Sequence, residues 1–156
     1  MSVNLFSKKS LLVIIVIAIQ VAVLGCSKRG ICVRGDCRNG QGEMKYPEGT
    51  IYKGAWKDGR RDGQGALLSP YAGHYQGQWK KDKPHGQGTW IFPDGAAYRG
   101  QWKYGEWHGQ GTISFPDGSK YEGEWRNDVP HGHGKMTYPD GKIVEGEFRN
   151  GTFVDD

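Results

Sequence analysis

The sequence predicts an all-β fold, a single-layer antiparallel sheet of tandem β-hairpins with about ten strands. Composition is the first observation behind this. Of 156 residues, 26 are Gly, and the aromatics comprise six Trp, eight Tyr and five Phe. Gly usually makes up about 7 % of a chain. A long helical protein is excluded, because each interior Gly would cost about 1 kcal/mol. Disorder is excluded by the aromatics, and collagen by the lack of Gly-x-y triplets with only seven Pro. The second observation is periodicity. Tyr52, Tyr75, Tyr98 and Tyr121 lie 23 residues apart, followed by Gly54, Gly77, Gly100, Gly123 and Gly146, and by Trp56, Trp79, Trp102, Trp125 and Phe148. Fixed-period self-similarity is the mark of a repeat architecture.

Residues 1–25 differ from everything after them. Lys8 and Lys9 are followed by an apolar run, Leu11 to Leu24, broken only by Gln20. A charged start, a short apolar stretch and a small residue describe a secretory signal. As a helix the run rises about 22 Å, short of a hydrocarbon core of about 30 Å. Its end, Val23-Leu24-Gly25-Cys26, resembles the lipobox of bacterial lipoproteins, with Leu24 standing where a small residue is usual. The resemblance implies cleavage before Cys26, lipid on Cys26, and a place in the bacterial cell envelope, facing the periplasm or the exterior. An uncleaved anchor is the alternative. Residues 26–37 read as a polar tether. With Cys26 lipidated, Cys32 and Cys37 form an even remainder, which in an exported chain invites a disulfide; two free thiols are the other reading.

Residues 38–156 read as the sheet domain. Tyr75-x-Gly77-x-Trp79 alternates with the strand period of two. Lys81 to His85 reads as a polar loop, and Gly86-x-Gly88-x-Trp90-x-Phe92 as the returning strand. Pro93-Asp94-Gly95 is a turn, since Pro presets φ and Gly accepts the left-handed conformation. It recurs at Pro116 and Pro139, while the first copy reads Pro70-Tyr71-Ala72-Gly73. Tyr52, Trp56, Tyr75, Trp79, Tyr98, Trp102, Tyr121, Trp125 and Phe148 are the expected core. Their rings share a face with the Gly of neighbouring strands, whose bare backbone leaves room for them. Each ring can bury roughly 150–250 Å², against about 1 kcal/mol for a strand Gly.

Tyr-x-Gly-x-Trp, then His-Gly-x-Gly and Pro-Asp-Gly at this spacing, resembles the MORN repeat (membrane occupation and recognition nexus). Tyr75 to Gly95 matches throughout, as do the units at Tyr98 and Tyr121; the unit at Tyr52 has Asp62 for His, and the last keeps only Glu145-Gly-Glu-Phe148. The resemblance implies an open, twisted sheet and a scaffold or recognition role without chemistry of its own.

The residues point to no enzyme, no cofactor and no metal. His85, His108 and His131 form a column, but two strands per repeat set them about 10 Å apart, whereas ligands sit about 2 Å from a shared zinc. No Ser stands in Gly-x-Ser-x-Gly. Charge is uneven: residues 26–104 hold 14 Lys and Arg against 7 Asp and Glu, and residues 105–156 hold 5 against 10. Lys53, Lys57, Lys80, Arg99 and Lys103 are expected on the outward face of the basic half. Such a face gains about 1 kcal/mol per cation against anionic lipid. The partners expected are the membrane through the lipid anchor, an envelope protein, and an anionic lipid or glycan; nucleic acid is not expected, and a homodimer is open. In the glycan reading, exposed Trp90, Trp107 and Tyr104 would stack on sugars. Glu122, Glu124, Glu145 and Glu147 read as a solvated face opposite the aromatics.

Overall fold

A computed structural model describes residues 30–154. The signal segment 1–25, Cys26 and the acidic pair Asp155-Asp156 lie outside these residues. All the strands join one open antiparallel sheet in chain order. They are β1 (Ile31–Gly35), β2 (Gly40–Lys45), β3 (Ile51–Lys57), β4 (Arg60–Ser69), β5 (Gly73–Lys80) and β6 (Lys83–Ile91). Then follow β7 (Ala97–Lys103), β8 (Glu106–Ser114), β9 (Lys120–Arg126), β10 (Val129–Thr137), β11 (Ile143–Arg149) and β12 (Thr152–Phe153). No helix occurs among the described residues.

The sheet therefore has 12 strands rather than about ten. The additional two are its edges. β1 lies in the segment expected to be tether, so the sheet begins at Ile31 and not at residue 38. Ile31-Cys32-Val33 suits a strand, and the disulfide Cys32–Cys37, with Cα atoms 5.9 Å apart, fastens its end. β12 pairs only through Phe153 and Thr152, opposite Phe148 and Arg149. Its Phe153 ring lies 5.4 Å from Phe148 and covers the last aromatic of the array.

Two kinds of turn alternate. At one end of the strands are two-residue turns: Asp58-Gly59, Lys81-Asp82, Tyr104-Gly105, Asn127-Asp128 and Asn150-Gly151, all at positive φ. Paired positive φ marks the type I′ hairpin, whose twist matches that of the strands. This corrects the expected loop from Lys81 to His85. The loop is Lys81-Asp82 alone, with φ of 48° and 70°, and Lys83 already belongs to β6. Neither residue is Gly, so the usual signal for the tight turn was missing. At the other end Pro93-Asp94-Gly95 closes by a bond from Gly95 N–H to Phe92 C=O, and Asp94 Oδ1 accepts from Ala96 N–H.

One face of the sheet is the core. Tyr52, Tyr75, Tyr98, Tyr121 and Phe148 are at most 1 % exposed, and Trp56, Trp79, Trp102 and Trp125 at most 6 %. Each repeat Tyr meets two rings edge-on: Tyr75 lies 5.0 Å from Trp79 and 5.4 Å from Trp102, Tyr98 lies 5.2 Å from Trp102 and 5.5 Å from Trp125, and Tyr121 lies 5.1 Å from both Trp125 and Phe148. Such T-shaped pairs add roughly 0.5–1.5 kcal/mol to their area burial. The chain of contacts runs through the array, so a single layer buries its own aromatic face.

Candidate functional site

The aromatic face offers nothing to a ligand, because its polar atoms are already used. Tyr75 Oη donates to the Gln78 carbonyl at 2.9 Å and Tyr98 Oη to Gln101 at 2.9 Å. Trp79, Trp102 and Trp125 each donate their indole N–H to a carbonyl 14 residues back, Gly65, Gly88 and Gly111. Burial pushes the Tyr52, Tyr75, Tyr98 and Tyr121 hydroxyls well above the usual tyrosine range. Trp90 and Trp107, expected at the surface in the glycan reading, are 2 % and 3 % exposed. Trp90 donates to the Ala72 carbonyl, and Trp107 stacks on Tyr98 with ring centroids 4.3 Å apart. Only Tyr104 of the three is exposed, lying 4.9 Å from the His85 ring.

One member of the His column, His85, has a structural task. Asp58 N–H donates to Asn39 Oδ1, Lys81 N–H to Asp62 Oδ2, and Tyr104 N–H to His85 Nδ1. The side chain at this place accepts from the first turn residue of the next hairpin. His108 and His131 occupy the same place with Nδ1 buried and unpartnered. No group of three potential metal ligands occurs among the described residues.

A second contact joins successive hairpins 21 residues apart. The second turn residue donates its N–H to the carbonyl of Arg38, Arg61, Pro84, Trp107 or Pro130. Arg61 and Trp107 have an amide of their own to satisfy, and there the turn residue is Asp. Asp82 Oδ1 accepts from Arg61 N–H at 2.9 Å and Asp128 Oδ1 from Trp107 N–H at 2.8 Å. Pro84 and Pro130 have no amide, and their turn partners are Gly105 and Gly151. Arg61 also forms an ion pair with Asp82 at 3.4 Å and covers the Trp79 ring at 4.2 Å. Asp128 has no such cation; burial, with Glu106 as a lesser influence, raises its pKa to about 6.

The outward face carries the expected basic residues. Lys53, Lys57, Lys80, Arg99 and Lys103 are all exposed there. Lys53 pairs in register with Ala66 and Glu43, and Arg99 with Thr89 and Thr112, so the two stand in one row across the sheet. Lys57 faces Arg60, and Lys80 faces Lys83, beside the tight turns. At the other strand ends Leu68 and Ile91, 42 % and 49 % exposed, flank His74. In the C-terminal half the outward carboxylates meet basic side chains: Glu122 meets Lys120 at 2.9 Å, Glu145 meets Lys135 at 3.9 Å, and Glu147 lies 3.7 Å from the His133 imidazole. Glu124 instead accepts from His133 N–H across the bulge of β10.

The model of the MORN repeat matches residues 34–51, 52–70, 75–97, 98–120 and 121–143. The chain belongs to the MORN repeat family. MORN repeats in general mediate protein or membrane interactions, and proteins built from them are in general non-enzymatic scaffolds. No curated protein matches this MORN chain. Sequence reasoning missed the amide acceptors of the bulges. Gln78 Oε1 accepts from Gln87 N–H and Gln101 Oε1 from Gln110 N–H. Their 23-residue period was visible, but an outward Gln has the same alternation as an idle surface residue.

Proposed function

We propose that this chain is a membrane-tethered, non-enzymatic recognition scaffold of a bacterial envelope. The observation that carries the reading is the division of its two faces. The aromatic face is closed, and the outward face of β3 to β7 presents Lys53, Lys57, Arg60, Lys80, Lys83, Arg99 and Lys103, none of them in an ion pair among the described residues. Lys8, Lys9, the apolar run and Cys26 support the tether. Contact along a rigid ladder, rather than enclosure in a pocket, is the mechanism: each cation adds a modest increment and the repeat adds the increments together.

Intact mass and membrane fractionation test the tether. The wild-type chain is expected in membranes with a mass showing cleavage before Cys26 plus acyl groups, and Cys26→Ala is expected to leave them. An unprocessed mass, with the variant still in membranes, would replace the lipid tether with an uncleaved anchor.

A further inference from the structure

Along the chain the charge divides into a basic half and an acidic half, but one series of cations runs through both, with exposed Glu106 in register opposite Lys103. Lys57, Lys80, Lys103, Arg126 and Arg149 recur at the 23-residue period. Each stands at the end of its strand, exposed, immediately before a tight turn. The series continues through β9 and β11, inside the acidic half. Among the described residues none of the five is in an ion pair, whereas Glu122 and Glu145 of that half each have a Lys and Glu147 lies beside His133. Two strands per repeat place successive cations about 10 Å apart, and eight strand steps from Lys57 to Arg149 make a line of about 40 Å.

We propose that this rim binds a linear polyanion laid across the strand ends, a flexible chain carrying phosphate or another anionic group on its units. The inference rests on the reading of the outward face as the recognition surface and names its ligand class. The line is one residue wide and follows the rim. A flat anionic bilayer lying on the outward face would press Glu122, Glu124, Glu145 and Glu147 against like charge, while a chain along the rim passes them by. Releasing counterions from such a polymer makes binding steeply dependent on salt.

The test titrates the protein extracted from its own cells, in neutral detergent, with long-chain inorganic polyphosphate, with orthophosphate, and with phosphatidylglycerol vesicles. Two variants remove equal charge: Arg126→Ala with Arg149→Ala on the rim, and Lys53→Ala with Arg99→Ala on the same face away from it. The expected result is binding of polyphosphate but not of orthophosphate, weakened about tenfold and with a flatter salt dependence in the rim pair, and changed less than about twofold in the other. Equal losses in the two pairs, binding of orthophosphate as tight as that of the polymer, or no binding of the polymer would overturn the proposal. Binding of vesicles alone, lost with Lys53 and Arg99, would overturn the rim and leave the outward-face reading standing.

Discussion

Gly88 shows how a single residue is fixed by its neighbours. A Cβ there would come within 2.6 Å of the Tyr75 ring carbons, which are held between Trp79 and Trp102 and cannot yield. Gly118, at φ of +86°, has open space around it and only the backbone to satisfy. Gly88→Ala is therefore expected to cost about 1–3 kcal/mol, and Gly118→Ala about 1 kcal/mol; urea unfolding of the two measures the difference. His108 makes the opposite prediction. Its buried Nδ1 lacks a partner, while Asn39 in the same place accepts a turn amide. His108→Asn is expected to raise stability by about 1 kcal/mol. The Tyr, Trp and Gly roles were legible because alternation assigns each residue a face. The His column was not, because its partner lies in the next hairpin, 19 residues on.

At the scale of the element, the tight turns join hairpins as well as strands. Where the neighbour's amide has no other acceptor the turn supplies Asp; where Pro removes the amide, or Asp36 already accepts that of Arg38, it supplies Gly. Asp128 differs from Asp82 in lacking an Arg, and its pKa rises to about 6. The folded state then holds the proton more tightly than the unfolded state. The stability Asp128 contributes is complete below the ordinary carboxylate range and is lost as pH rises through about 6. Asp128→Asn keeps an acceptor for Trp107 N–H, so it is expected to gain on the wild type between pH 4 and 7, read as the difference between their melting temperatures. A constant difference across that range would contradict the assignment. The Pro-Asp-Gly turns were legible from local chemistry. Lys81-Asp82 was not, because the docked neighbour, rather than the residues themselves, favours its positive φ.

Over the whole molecule, the period gave away the fold: the Tyr, Gly and Trp series, 23 residues apart without insertion, allow only stacked copies of one unit. The ends were hidden for the same reason, since most of β1 and all of β12 lie outside the matched repeats, and Phe153 of β12 covers Phe148. Phe153→Ala should uncover Phe148 and lower stability by about 1–3 kcal/mol, with exchange of β11 amides rising more than that of β5. The recognition surface was only partly legible. Alternation placed the five cations outward, but the sequence read their charge along the chain, and only the register shows which cations line the rim and which carboxylates are already paired. The central claim is that the outward face makes the contact while the aromatic face is core. The most direct test places a photoreactive side chain at Lys83, exposed on the outward face opposite Lys80, in the whole protein within its own cells. It is then repeated with Lys53, Lys57, Lys80, Arg99 and Lys103 changed to Glu. A defined adduct that disappears on charge reversal, with the melting temperature held, is the predicted result. An adduct that survives reversal, or none at all from Lys83, would contradict the account.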